Sequence, residues 1–300
     1  PGPVTGLFAA ALVSAGVFPA PPLEYREPVP VDHPSGIPVL CYHHVGSSAV
    51  PYGVSPYRLR GDLEALYENG FYLVTPRDLE NRLMQVPRDR RPVMITFDDG
   101  WEDHCRFLPG TGELDPLCAL GVVEGFLDEH PDFGGGVTFF VSWDKTPFGE
   151  DTGEKLNLIL DLGHEVGNHS LSHAQFQLIS EDGWRRQING ALDRFAKYLG
   201  MRTGEVRALA YPGGQPPRGG AFRGFMAGLT WRRRPSVTSA FVVDGKVTGF
   251  SRVLDGGPER FHIGRIDMSL YSVGHLLQWS NLMVAGTGRT GIRSPLPWRP

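Results

Sequence analysis

The stretch "PVMITFDDG", residues 92–100, decides how the chain is read. Pro92 to Phe97 run apolar with almost no polar alternation, the pattern of a strand buried on both faces. Two carboxylates, Asp98 and Asp99, close the run, and Gly100 lets the chain turn. A strand covered on both faces belongs to a parallel sheet flanked by helices.

The neighbouring segments repeat that arrangement. "IPVLCYHHV" (37–45), "FYLV" (71–74), "GVTFFV" (136–141), "VRALAY" (206–211), "SVTSAFVV" (236–243) and "FHIGRI" (261–266) read as strands. Helices are predicted over 55–70, with Ser55 as N-cap, Pro56 at the first position and Gly70 past the end, and over 180–200, from Ser180 to Gly200. Further helices are predicted from Thr75-Pro76 to about Met84, over 115–130 and over 270–283. Strand-helix alternation implies an α/β fold with parallel strands. Its polar residues collect where strands end: His43, Asp98 and Asp99, Trp143 and Asp144, and Tyr211. In a closed barrel of parallel strands, those C-terminal ends form the active-site face.

Composition narrows the classes. A chain of 300 residues suggests about two domains, or one closed α/β barrel of ~250 residues with extensions. The 41% hydrophobic and 21% charged content is that of a globular chain with an ample core. The net charge is −4 and no Lys/Arg-rich run occurs; "WRRRP" (231–235) is too short, so the footprint of a nucleic-acid binder is missing. Three cysteines, Cys41, Cys105 and Cys118, make no disulfide framework. Cys41 reads as a buried thiol, and Cys105 with Cys118 is the one pairing to consider. The stretch 4–22 carries no charge. It is expected to be a remnant of an export signal or a membrane-touching segment, or else a helix packed on the domain.

The chemistry-bearing residues concentrate in "TFDDGWEDH" (96–104) and "HEVGNHSLSH" (164–173). Adjacent carboxylates at a strand end suit one on a metal and its neighbour beside the metal's water; the plain alternative is a solvated turn. His164-Glu165 resembles the start of a zincin motif, but the next histidine is five residues on, about 500° of helix rotation, which points the rings apart. His169 and His173 are four apart, about 40° on a helix, close enough to share a metal. With Asp99 they make three protein ligands with open positions, the build of a catalytic metal site. Nitrogen and oxygen donors suit Zn²⁺, Co²⁺, Ni²⁺ or Fe²⁺.

"TFDDG" followed by "HSLSH" resembles the signature pair of the polysaccharide deacetylases (carbohydrate esterase family 4, the NodB homology domain). "CYHHVG" (41–46) and "YPGG" (211–214) resemble the branch that de-N-acetylates biofilm poly-β-1,6-N-acetyl-D-glucosamine. The resemblance implies a distorted (β/α) barrel with a catalytic domain over 37–283, between an apolar, Pro-rich segment 1–36 and an irregular tail 284–300. It also implies one divalent ion, a polysaccharide substrate, and a secreted or cell-surface location. A monomer with peripheral membrane or surface association is expected.

By position, the resemblance makes Asp98 the general base and Asp99, His169 and His173 the metal ligands. It makes His43 the general acid, ahead of His44, His262 and His275. Tyr211 matches the residue whose backbone N–H helps hold the oxyanion. The expected chemistry is attack of an activated water on the acetamide carbonyl, Asp98 taking its proton and His43 protonating the leaving amine. One departure stands out: the wider family's third motif carries an arginine, and "ALAYPGG" (208–214) has none. Arg265 is the candidate substitute for orienting the base. Trp143, Trp101 and Tyr52 are candidate sugar-stacking platforms, with ordinary packing as the alternative. A glycosidase built on Asp98 and Glu102 would leave His169 and His173 without a role. A binding module needs neither Asp98 nor His43. Deacetylation of peptidoglycan or chitin oligomers remains the nearest alternative.

Overall fold

The computed structural model describes residues 36–277, apart from positions 84, 218, 255 and 275. The expectations for 1–35 and 278–300, for His275 and for the second half of the last helix lie outside the described residues.

Eight parallel strands form the main sheet: β1 (Val39–Tyr42), β2 (Phe71–Leu73), β3 (Arg91–Phe97), β4 (Thr138–Val141), β5 (Glu165–Asn168), β6 (Ala208–Ala210), β7 (Ser239–Val243) and β8 (Ile263–Asp267). Their order is β1-β8-β7-β6-β5-β4-β3-β2. β1 also pairs with β3, with Leu40 opposite Ile95 and Tyr42 opposite Phe97. That pairing closes a ring of seven strands, and β2 lies outside it against the first three residues of β3. The fold is therefore a distorted (β/α) barrel, as expected.

Helices α1 (Pro56–Glu68), α2 (Ala119–Glu129), α3 (Thr152–Asp161), α4 (Glu181–Leu199) and α5 (Ala221–Gly228) fall between the strands. Ser55 caps α1 by accepting from the Arg58 N–H at 3.1 Å, with Pro56 in the first turn. Ser180 caps α4, whose Trp184, Ile188, Ala191, Leu192, Phe195 and Leu199 make one buried stripe at helical spacing. Each large apolar side chain buried there contributes about 1.5–3 kcal/mol.

Period-two alternation sorts the strand residues. Leu40, Tyr42, Ile95, Phe97, Phe139 and Val141 pack outward in a core shared with α1, α2 and α4. Val39, Met94, Phe140, Ala208, Ala210, Phe241 and Ile263 form a second cluster inside the ring. The same parity places Cys41, Thr96, Asp98 and Arg265 inside, above that floor.

Three expectations are corrected. The helix from Thr75-Pro76 is one 3₁₀ turn, Pro76–Leu79, because Arg82 and Leu83 take left-handed backbone (φ 54° and 58°). Residues 165–168 form β5, and α3 and α5 lie in segments where no element was predicted. A Cβ at Gly167 would collide with the Phe140 ring, which is why glycine sits there. The predicted strands near 206 and 236 begin two or three residues late, at Ala208 and Ser239. Cys105 and Cys118 are buried free thiols, so the one pairing considered is not made.

Candidate active site

Asp98 extends β3 by one residue, its N–H donating to the Tyr42 carbonyl at 2.9 Å. Arg265 reaches it from β8 on the other side of β1. The guanidinium donates from Nη1 to Oδ1 at 2.6 Å and from Nη2 to Oδ2 at 2.7 Å. Such a bidentate pair fixes both position and plane. Nη1 also donates to Thr96 Oγ1 at 3.2 Å, and the Cys41 thiol lies 3.6 Å from Asp98 Oδ2. Arg265 has no solvent exposure and Asp98 almost none. Burial pushes the Asp98 pKa up, but the charges of Arg265, His169 and His43 outweigh that and bring it down to about 2. Arg265 thus fixes the position and plane of the Asp98 carboxylate.

At Asp99 the backbone leaves the strand. Its φ is 77° and that of Gly100 is 66°, so the chain turns through left-handed space and swings the Asp99 carboxylate towards β5. His169 follows β5 directly, and a second left-handed turn at Ser170 (φ 76°) and His173 (φ 51°) folds His173 back beside it. A left-handed non-glycine residue costs on the order of 1 kcal/mol or more, and such strain collects at sites that need unusual geometry. The two histidines are therefore brought together by a strand end and a turn, and not by the helix their four-residue spacing suggested. Ser170 does not satisfy backbone groups with its hydroxyl. Its N–H donates to Asn168 Oδ1 at 2.8 Å, and its Oγ has no partner among the described residues.

His169 Nε2 and His173 Nε2 lie 3.3 and 3.2 Å from the same Asp99 oxygen, Oδ1. One ligand atom from each of the three falls within 4.8 Å of the others. His169 Nδ1 is 2.9 Å from the Ala210 carbonyl, which can only accept, so Nδ1 carries a proton and Nε2 is the nitrogen that would meet an ion once its own proton is lost. Asp99 Oδ2 accepts from the Trp101 indole N–H at 3.0 Å. Burial raises the Asp99 pKa, yet the hydrogen bonds from His169 and His173 hold it well below the usual carboxylate range. Two imidazoles and one ionised carboxylate converging on one point fit a divalent cation with open positions.

The remaining predicted residues separate. One ring nitrogen of His43, one oxygen of Asp98 and the Cys41 sulfur also lie within 4.8 Å of one another. His43 Nδ1 is buried without a partner among the described residues. His44 turns away to Asp103, 2.8 Å from Oδ2. His262 sits among Asp244, Arg223 and Glu259. The Tyr211 N–H donates to the Phe241 carbonyl at 3.0 Å, inside the β6–β7 pairing, so it is not free to hold an oxyanion, and that expectation is corrected. Trp143 stacks on Tyr198 and meets Phe195 edge-on, which is packing and not an open platform. Tyr52 is 46% exposed, its ring centroid 5.2 Å from that of His43. Glu102 lies exposed on a 3₁₀ turn.

His164 is structural. Its Nδ1 accepts from the Val137 N–H, its Nε2 faces Glu124 at 2.9 Å, and Glu165 accepts the Arg77 N–H at 2.8 Å. Sequence reasoning missed three supports of the site: Thr96, Cys41 and the buried His104, whose Nε2 meets the His43 carbonyl. For Thr96 and Cys41 a signal existed, since each lies two residues before Asp98 or His43 and so shares its side of the strand.

Residues 85–219 match the polysaccharide deacetylase family. A curated relative, the peptidoglycan-N-acetylmuramic acid deacetylase PdaC of Bacillus subtilis, is 30% identical over 135 residues, 45% of this chain. The chain spans only 23% of that relative's length. Among solved structures, a Streptococcus pyogenes deacetylase, PplD in complex with acetate, superposes with a TM-score of 0.58 at 19% identity, over 83% of this chain and 98% of its own. IcaB from Ammonifex degensii gives 0.59 at 19% identity, over 83% and 98%. A polysaccharide deacetylase from Bacillus cereus gives 0.59 at 18%, over 82% and 69%. The family match spans Asp98, Asp99, His169, His173 and Tyr211, and the solved structures share the barrel.

Proposed function

We propose that this protein is a metal-dependent N-deacetylase that removes acetyl groups from poly-β-1,6-N-acetyl-D-glucosamine. The observation that carries the reading is the juxtaposition of two sets of groups on one barrel rim. Asp98, held by Arg265, stands beside a ligand set of Asp99, His169 and His173. His169 Nε2 is 3.9 Å from Asp98 Oδ2, so a water between the sets is within reach of the carboxylate.

Asp99, His169 and His173 would hold a divalent ion, and such an ion supplies Lewis acidity towards the acetamide carbonyl and its attacking water. Asp98 accepts the proton of that water as the new C–O bond forms. Arg265 keeps the carboxylate ionised and fixes its plane. The C–N bond then breaks as His43 donates a proton to nitrogen, without which the amine would leave as a poor anion. Acetate and a free glucosamine amine are the products. Tyr52, exposed next to His43, is the residue best placed to contact the sugar.

The biofilm polysaccharide is favoured because the Tyr42-His43 resemblance puts the acid on β1, and His43 does face Asp98. A second reading, deacetylation of peptidoglycan, rests on the similarity to the Bacillus subtilis N-acetylmuramic acid deacetylase. The secreted or cell-surface location and the monomeric state belong to the same proposal; no helix among the described residues is long and apolar enough to cross a membrane. Amine release is measured in parallel on poly-β-1,6-N-acetylglucosamine, chitin oligomers and peptidoglycan. The first substrate should be turned over fastest. Release from peptidoglycan alone would move the assignment to the second reading.

A further inference from the structure

Trp101 was a candidate sugar platform, but its surroundings give it another task. The indole N–H donates to Asp99 Oδ2 at 3.0 Å. Oδ1, the other oxygen of that carboxylate, is the atom that both histidines approach. One face of the indole meets His44, with ring centroids 4.1 Å apart, and Lys145 Nζ lies 4.0 Å from the ring centroid. His44 is itself anchored at 2.8 Å by Asp103. The indole is clamped, and its single polar atom is directed at a single acceptor. A cation over the ring draws electron density from it and makes the N–H a better donor. An open sugar platform needs a free face, and this ring has neighbours that occupy it.

We infer that Trp101 is a positioning residue for the metal centre. It ties down Oδ2 so that Asp99 presents Oδ1 alone, and it thereby sets the affinity and the coordination geometry of the ion. The inference rests on the reading that Asp99, His169 and His173 hold a divalent cation. Partners one shell out from a ligand typically change metal affinity by about 10- to 100-fold when removed.

The test uses the full chain, stripped of metal and titrated with Co²⁺ alone, followed by calorimetry and visible absorption. Trp101→Phe keeps an aromatic ring at the position and removes the donor together with the smaller ring. It should bind Co²⁺ at least about tenfold more weakly than wild type and shift the absorption bands, as Asp99 becomes free to use both oxygens. The unfolding temperature without metal should stay close to that of wild type, which a merely structural role would not allow. Lys145→Met, which leaves the N–H in place, should weaken binding less. If Trp101→Phe does not fold, benzothienylalanine at position 101 keeps the bicyclic shape, lacks the N–H, and makes the same comparison. Wild-type affinity and spectrum in the variant would overturn the inference and leave the metal reading intact. A wild-type protein that binds no Co²⁺ would overturn both.

Discussion

Arg265 and Asp98 are 167 residues apart in the chain and meet inside the barrel through two parallel hydrogen bonds of 2.6 and 2.7 Å. Neither has appreciable contact with solvent. The pair compensates two buried charges and fixes the plane of the carboxylate. Replacing Arg265 with Met leaves the Asp98 carboxylate buried and unpaired, and should cost about 3–5 kcal/mol in urea unfolding. Arg265→Lys keeps the charge but has no fork to offer, so the carboxylate loses its fixed plane. Turnover should fall about 100-fold with KM little changed. Full activity in the Lys variant would mean that charge alone suffices.

The same pair makes a pH prediction for the metal-free protein. The Asp98 pKa is lowered from 3.8 to about 2. A depressed carboxylate contributes stability above its unfolded pKa and loses it as pH falls through the folded one. The contribution, about 2 kcal/mol, should therefore disappear between about pH 4 and about pH 2. Urea unfolding of wild type and Asp98→Asn shows this as a gap that narrows by that amount over the window. A constant gap would mean that Asp98 is not held ionised by its surroundings.

His43→Gln should lower kcat by about 10²- to 10⁴-fold, the usual contribution of a general acid, and leave Co²⁺ binding unchanged. His44→Gln should leave kcat at saturating metal within a few-fold of wild type, because His44 faces Asp103 and Trp101. The reverse pattern would transfer the acid to His44.

Much of this site was legible in the chain because strand ends carry local signals. The continuous apolar run before Asp98 marked a buried parallel strand, and its last residues had to lie on the barrel rim. The paired carboxylates and the two histidines could be singled out as candidates without knowing how the backbone turned between them. How they come together was not legible, since it depends on left-handed φ at Asp99, Ser170 and His173. Four-residue spacing is compatible with a helix, but residues 165–168 pair as strand β5 and the chain then turns through left-handed φ at Ser170 and His173. Arg265 could be named from its strand, whereas its bidentate grip depends on the ring closing between β1 and β3. The Tyr211 N–H was misassigned because pairing with Phe241 is a tertiary fact.

The cysteines offer a check on the closed interior. All three are buried, and burial raises the Cys118 thiol to about 11 and the Cys41 and Cys105 thiols well above their ordinary values. A thiol reagent at neutral pH should modify none of them in the native protein and all three after unfolding without reductant. Recovery of one thiol instead would reveal a Cys105–Cys118 disulfide.

The central claim is that Asp98 activates a water beside an ion held by Asp99, His169 and His173. The direct measurement is acetate release from poly-β-1,6-N-acetylglucosamine by wild type before chelation, after chelation, and after Zn²⁺ or Co²⁺ is restored, with Asp98→Asn alongside. Wild type should lose activity on chelation and regain it with metal, and Asp98→Asn should stay at least about 100-fold below it throughout while still binding metal. Activity that persists through both chelation and Asp98→Asn would contradict the account.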